Sequence, residues 1–569
     1  MSRHVKKTWF ADFETTAMNE RGEVRVYLWA AVCGDKVDSG ESVEEFIEWL
    51  KKHDDVVFFH NLRFDFSYVH YYALTHDIPC DILEKKGVIY SVKIFGAELR
   101  DTMNFFPNMS LKEVGEAYNS KYQKTAIDIV VPYGHKATEE EKAYNVNDCR
   151  VIEEAYGVYM STLFSVLTDA GARDSAGKIT KKLTNAGIAF EAFKEMSSFR
   201  EMCPKTTKTE FETFRPAYKG GYVYSAPRGI VRDVHMIDCN SMYSYIYAND
   251  LMPYGSPHIC SGFADCERFP FYIVEVLARY ELKDGYIPII GGGVGRYGGI
   301  EYKSSSDGEL EQLTLCNVDL DLIKRFYDID LTFIAGYGFE GKTHFFKHYA
   351  DTFVSMKNRY KGAKRRVCKV LLNSPYGKTA MNGLNELKTY TVDKIYDEDK
   401  KAVREVITGH ITGFEIDPDA YQYIPMAIAI TAGARRLLLT TAEKIGFDRV
   451  QYMDTDSIKF TGDIPPDLDI DPDRLGAWKD EGTATLFKTI APKKYMTAIA
   501  EGDAYKLEAT CAGFNKKALS AAVRHGEVVT LTEAERCMGV FDKGLEMSCN
   551  QSLLAKGGRA IQSVIKSIK

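Results

Sequence analysis

The 569-residue chain contains no stretch of about 18 uncharged apolar residues, so no membrane-spanning helix is predicted. Its N-terminus, MSRHVKKTWFADFETT, lacks the apolar run of a secretory signal. The twelve cysteines are scattered and none forms a Cys-x-x-Cys pair. That speaks against a zinc site or a disulfide framework and for reduced thiols in a cytosol. There is no excess of positive charge, the net charge being −7. That argues against a histone-like protein that binds nucleic acid by bulk charge, and it does not exclude a local basic groove. Repeats and long low-complexity segments are also missing. What is plentiful is aromatic surface, with 35 Tyr and 31 Phe available for stacking.

The first third reads as an α/β domain. Residues 5–34 suggest two short strands around the turn MNERGEV, 43–52 a helix, 56–60 (VVFFH) a strand and 139–168 a closing helix. Farther on, VHMID reads as a strand, 285–308 as a loop or hairpin, and 344–382 as helical. Short strands (LKTYTV, HITGFEI), a helix over 425–445, a strand and turn at 447–460 and a mixed tail from 514 follow. The segment GGGVGRYGG carries Gly293, Gly295 and Gly298 in Gly-x-Gly-x-x-Gly spacing. No helix opens directly after it, so a loop is expected there and not a dinucleotide site.

ADFETT sets Asp12 and Glu14 on one face of a strand, since side chains alternate with period two. HNLRFD is read as ending a second strand with Asp65. YNVND puts Tyr144 four residues before Asp148, on one side of a helix. Any one of these carboxylates alone is an ordinary solvated charge. Together they would suit two divalent metals about 3.5–4 Å apart, with Tyr144 orienting the attacking water. The joint order Asp-x-Glu, Asn-x-x-Phe-Asp, Tyr-x-x-x-Asp resembles the proofreading 3′–5′ exonuclease of family B DNA polymerases. The resemblance implies that Asp12, Glu14, Asp65 and Asp148 hold the metals, and that Thr15, Asn61 and Phe64 hold a single-stranded 3′ end. Lys124, in QKTAI, resembles the lysine of a further exonuclease motif.

YMDTDS, residues 452–457, places Asp454 and Asp456 two apart after an apolar run. A tight turn is the plain reading, and half of a metal site is the sharper one. Other segments bear on the choice: MIDCNSMYS with Asp238 and Tyr243, KVLLNSPYG with Lys369, Asn373 and Tyr376, TAGAR with Thr431 and Arg435, and KKY with Lys493 and Tyr495. YKGG (Tyr218, Gly220, Gly221) lies between the two halves. Lys357, Lys361, Arg365 and Lys369 recur every four residues, a basic stripe if one helix carries them.

In this order the segments resemble the family B polymerase motifs over nearly the whole chain. The resemblance implies that Asp238 and Asp456, with the backbone carbonyl of Cys239, hold two magnesium or manganese ions, Asp454 tuning the site. It implies that Tyr243, Lys357, Arg365, Lys369, Asn373 and Tyr376 bind the nucleotide, Tyr243 excluding a 2′-hydroxyl. DNA contacts would come from Tyr218, Gly220, Gly221, Ser241, Thr431, Arg435, Lys493 and Tyr495. EYKSSSDGELEQLTLCNVDLDLIK is similar to the first inserted region of the protein-primed polymerases of small tailed phages, the phi twenty-nine type. Ser244, where proline is usual, and Pro375, inside NSPYG, depart from that pattern.

The implied fold class is an α/β and α+β multidomain chain: an RNase H-like exonuclease domain joined to a right-hand polymerase domain with two insertions. The implied segments are exonuclease 1–168, palm 169–249 and 414–511, first insertion 250–343, fingers 344–382, second insertion 383–413 and thumb 512–569. The implied activity is proofreading, strand-displacing DNA synthesis in a bacterial host's cytoplasm, by a monomer. Its partners would be primer–template DNA, deoxynucleoside triphosphates and a terminal protein. A noncatalytic DNA-binding replication factor, or a nuclease, on a polymerase scaffold is the alternative.

Overall fold

The computed structural model describes residues 6–17, 19, 23–85, 87–125, 131–226, 229–294, 300–397, 402–417, 422–512, 519–520 and 523–541. It divides into two compact units. The first is Met1–Met196 with Thr352–Pro375 and Gly383–Asp417. The second is Ser197–Asp351 with Tyr376–Asn382 and Pro418–Lys569.

The first unit is built on a seven-stranded sheet among the described residues. Its order is Lys36–Gly40, Val26–Cys33, Thr8–Thr15, Val56–Phe59, Ala97–Asp101, Val88–Ile94, Cys80–Lys85. Thr8–Thr15 runs parallel to Val56–Phe59, which runs parallel to Ala97–Asp101. Val26–Cys33, VYLWAAVC, is apolar throughout and almost wholly buried, as a strand covered on both faces must be.

Thr8–Thr15 shows why period two matters. Trp9, Ala11 and Phe13 enter one core, where Phe13 meets Phe46 and Phe59 edge-on at 4.8 and 5.6 Å. Phe10, Asp12 and Glu14 take the other face, and Phe10 packs on Tyr156 of the long helix Glu139–Asp169. That helix begins at a capping box between Thr138 and Glu141 and lies against Thr8–Thr15 and Val26–Cys33.

Two local expectations change. Asp65 does not end a strand: Val56–Phe59 stops earlier, and Asp65 falls in the first turn of the helix Leu62–Thr75. The Asp101 carboxylate accepts the backbone N–H groups of Asn61 and Leu62, both at 3.1 Å, and so satisfies that helix start. The basic stripe is not on one helix either. Lys357 belongs to Lys347–Arg359, whereas Arg365 and Lys369 belong to Gly362–Asn373. Gly362, at φ +56°, breaks the run, a conformation that suits glycine.

The two short strands expected after residue 383 are one long hairpin, Leu384–Asp397 with Ala402–Ile416, in near-continuous register. Within the first unit, Lys388 Nζ lies 3.0 Å from Glu84 and Tyr390 donates to the same carboxylate at 2.8 Å.

The second unit carries an eight-stranded sheet among the described residues. Its order is Val528–Val529, Ala504–Cys511, Lys494–Glu501, Trp478–Ala491, Val231–Cys239, Ser457–Thr461, Val450–Asp454, Val223–Ser225. The helix Ile424–Ile445, apolar over most of its length, is largely buried and packs on the helix Met242–Asn249. A four-stranded sheet, Met252–Cys260, Tyr327–Lys342, Phe271–Leu282, Glu311–Cys316, lies between Val231–Cys239 and Ser457–Thr461 in sequence. The glycine-rich segment is entered by Ile290–Val294 and left by Ile300–Lys303, a paired hairpin; Gly295 and Gly298 lie outside the described residues.

Candidate active sites

In the first unit, Asp12, Glu14 and Asp148 bring carboxylate oxygens within 4.8 Å of one another. The strand supplies the first two and the long helix supplies the third. Asp65, 2% exposed, lies beside them: its carboxylate accepts the Phe13 N–H at 3.1 Å and repels that of Asp12. Burial, then mutual repulsion, raises the pKa of Asp12 and Asp65 well above the carboxylate range. Glu14 is pushed up to about 7, by burial first and then by Asp148 and Glu141. Lys124 is the counter-charge. It pairs with Asp148 and donates to Tyr144 Oη at 2.7 Å. Although burial works against its charge, the bonds to Asp148 and Tyr144 raise its pKa.

Asn145 was not legible as a site residue. It is fully buried, one helical turn before Asp148, and donates to the Asp12 carboxylate at 3.1 Å. Asp148 Oδ1 is sealed and has no hydrogen-bond partner. A buried carboxylate oxygen with nothing to accept, inside a mutually repelling cluster, fits a divalent cation. At the edge, Thr15 is half-buried, Asn61 is exposed and the Phe64 ring is 43% exposed.

In the second unit, YMDTDS makes the tight turn. Val450–Asp454 and Ser457–Thr461 form a hairpin whose two-residue loop is Thr455 and Asp456. Ser457 pairs with Asp238 on the neighbouring strand, and the Cys239 N–H donates to the Asp456 carbonyl at 2.7 Å. The tight turn therefore delivers Asp456 next to Asp238. Burial, then repulsion by Asp456 and Glu481, lifts Asp238 to about 6, while Lys459 and Lys479 oppose the shift. Two carboxylates in mutual repulsion again fit a cation between them. Asp454 is neutralised otherwise, since Lys493 Nζ lies 2.8 Å from both of its oxygens.

Tyr243 stacks on Tyr376 at 4.3 Å, with 28° between the rings. Ser244 is buried and hydrogen-bonds with Tyr247, a bond the expected proline could not make. Gly221 has a packing reason: a Cβ there would meet Thr455 Oγ1 at 2.4 Å. Gly220 faces open space, and Tyr218 is half-buried. Ser241 precedes the helix Met242–Asn249 at φ +51°. Tyr495 packs on Tyr452 at 4.9 Å.

Two expected DNA contacts have other employment. Thr431 is 1% exposed and its hydroxyl donates to the Ala427 carbonyl of its own helix. Arg435 is buried and forks onto Asp319 at 3.0 and 2.6 Å. It also donates to the carbonyls of Lys219 and Gly220 at 2.7 and 2.8 Å. Apolar packing around the helix Ile424–Ile445 leaves both side chains facing inward. Arg435 thus shapes the YKGG loop from behind. Of the basic residues expected at the nucleotide, Arg365 and Lys369 are exposed and Lys357 is buried; Asn373 ends the second of the two helices.

Residues 130–415 match the family described as DNA polymerase type B, organellar and viral. The chain is 30% identical to the DNA polymerase of Bacillus phage phi29 over 530 residues, 88% of each chain. The chain belongs to the type B DNA polymerases. It is also 26% identical to the DNA polymerase of Streptococcus phage Cp-1, over 86% of this chain and 88% of that one. The solved phi29 polymerase complexed with primer–template DNA and incoming nucleotide substrates superposes with a TM-score of 0.77. That match has 27% identity and covers 90% of this chain and 93% of that one. The polymerase therefore has the multidomain α/β and α+β architecture of that group, and DNA-directed DNA synthesis is its activity.

Proposed function

We propose that the polymerase replicates a linear phage-type genome from a terminal-protein primer in a bacterial cytoplasm, displacing the non-template strand and proofreading with a separate 3′–5′ exonuclease centre. One observation carries the reading: a single chain holds two acidic centres, Asp12, Glu14 and Asp148 in one unit and Asp238 beside Asp456 in the other. The phage relatives support the genome type, and the printed complex of one of them supports primer–template DNA and deoxynucleotides as partners. The insertion at 250–343 and the hairpin around 383–413 support protein priming and strand displacement. Exonuclease 1–168, palm 169–249 and 414–511, fingers 344–382 and thumb 512–569 complete the assignment.

In the palm, Asp238 and Asp456, with the carbonyl of Cys239, would hold two magnesium or manganese ions. In the exonuclease, Asp12, Glu14, Asp65 and Asp148 would do so. Bound there, divalent cations neutralise the clustered carboxylates and offset charge developing on phosphate oxygens. In extension the primer 3′ oxygen bonds to the α-phosphorus and pyrophosphate leaves. The Tyr243–Tyr376 stack lies beneath the incoming sugar and leaves no room for a 2′-hydroxyl. Lys357, Arg365 and Lys369 hold the triphosphate, and Asn373 positions it. Lys493 and Tyr495 support the primer strand through the hairpin turn at Asp454.

In proofreading, a water oxygen bonds to the terminal phosphorus and the preceding 3′ oxygen leaves. Lys124 donates to Tyr144 Oη and the Tyr144 hydroxyl hydrogen-bonds to Asp148, so the phenol is held beside the carboxylates, where it would orient that water. Phe64 stacks a terminal base while Asn61 and Thr15 hold its backbone.

The test is primer extension on a singly primed circular single strand with magnesium, four deoxynucleotides and a trap for released enzyme. Products many times the circle length support the full reading. Products that stop at one circle refute strand displacement, and no extension refutes the palm assignment.

A further inference from the structure

Lys459 is a charge that the chemistry above does not use. It lies on Ser457–Thr461, three residues after Asp456, and is 7% exposed. Among the described residues its ammonium makes no hydrogen bond and no ion pair. Rings surround it instead: Nζ is 4.9 Å from the Tyr495 centroid and 5.8 Å from that of Tyr452. Burying an ammonium is costly, and cation–π contact recovers only part of the cost. A methionine would fill the same space without that cost. At 7% exposed, Lys459 is not wholly sealed from solvent.

Strand register says which way it faces. Ser457 is opposite Asp238 and Lys459 opposite Met236, so Lys459 and Asp238 are diagonal neighbours on one face. Such pairs stand roughly 7–8 Å apart, within reach of a long side chain. Nearby cations are committed: Lys493 to Asp454, Lys479 to Glu481, Arg435 to Asp319. Lys459 alone among these keeps its donors for something that comes to the catalytic face, and what comes there is a polyanion.

We propose that Lys459 is a phosphodiester contact of the polymerase centre. Its ammonium, held between Tyr452 and Tyr495, grips the backbone of the strand whose 3′ end reaches Asp238 and Asp456. This rests on the reading of those two aspartates as the synthetic centre.

The test compares the full chain with Lys459→Met and Lys459→Arg in binding primer–template DNA, in EDTA, across a salt series. Lys459→Met is expected to bind more weakly, with a slope of log K against log salt shallower by about 0.9, one phosphate contact. Lys459→Arg keeps the slope. One neutral methylphosphonate linkage near the primer 3′ end is expected to weaken the wild type and cost Lys459→Met nothing further. An unchanged slope in a folded Lys459→Met protein overturns the proposal, as does coupling to a template linkage alone. Thermal melting checks the fold, and if Lys459→Met does not fold, Lys459→Gln takes its place with the same slope deciding. Failure of the wild type to bind primer–template at all would overturn the synthetic-centre reading instead.

Discussion

In the first unit Asp12, Glu14 and Asp148 crowd within 4.8 Å of one another beside one half-buried counter-charge, Lys124. In the second unit Asp456, in a hairpin turn, lies beside Asp238 on the neighbouring strand, and the cations near them are spent on other partners or set back behind rings. Burial first and repulsion second raise Glu14 of the crowded centre from 4.5 to about 7 and Asp238 of the open one from 3.8 to about 6, so the two carboxyls rise by similar amounts. What differs is the layout, three carboxylates around one point against charges spread along a sheet face. Crowding suits a site that grips a bare phosphodiester and water. Spreading suits one that must admit a duplex end and a triphosphate.

The comparison breaks most sharply under single carboxylate deletions. Asp456→Ala is expected to abolish extension and leave 3′ digestion, and Asp12→Ala to do the reverse; gel assays of both activities on one primer decide it. Loss of both activities in either variant would mean the centres are not independent.

Next comes the buried pair behind the YKGG loop. Arg435→Met leaves Asp319 buried without its partner and is expected to lower unfolding free energy by about 3–5 kcal/mol. Adding Asp319→Leu should restore much of that stability without restoring full extension, because the loop carbonyls stay unheld. Chemical denaturation and extension assays separate the two effects.

A smaller effect sharpens the other side. Asn145→Leu removes the bond that orients Asp12 and is expected to lower 3′ digestion roughly 10–100-fold. Extension should not change, and a change in it would show that Asn145 supports the whole unit.

The mildest test alters only pH. In protein free of divalent cations, Glu14 is raised from 4.5 to about 7 and Asp238 from 3.8 to about 6. The folded state then binds more protons than the unfolded one in those windows. Stability contributed by these groups is present at the low end and falls as pH rises through them. Urea midpoints measured from pH 4 to 8 should decline, less so in Glu14→Gln, and magnesium should reverse the decline.

Much of this was legible beforehand. Alternation in ADFETT placed Asp12 and Glu14 together, and the four-residue step in YNVND placed Tyr144 with Asp148. The helices expected over 139–168 and 425–445 are found as Glu139–Asp169 and Ile424–Ile445. Asp65 was misplaced onto a strand because the helix start at Asn61 and Leu62 depends on Asp101, 40 and 39 residues farther along the chain. Arg435 was expected at DNA through the resemblance of TAGAR to a polymerase motif, and the sequence could not show Asp319, the partner that the fold brings to it. Asn145 and Lys459 gave no signal beyond position: one sits a helical turn from Asp148, the other in the same strand alternation as Asp456's neighbour Ser457.

By itself the sequence determined which residues share a strand or helix face, because those periods are local and short. It also determined the order of the motifs, and through that order the family. Tertiary structure alone decided which charges meet: Lys124 with Asp148, Lys493 with Asp454, Arg435 with Asp319, Asp456 beside Asp238. Those meetings depend on which strands become neighbours and which side chains burial strips of water. A charge stripped of water takes whatever partner the fold brings within reach.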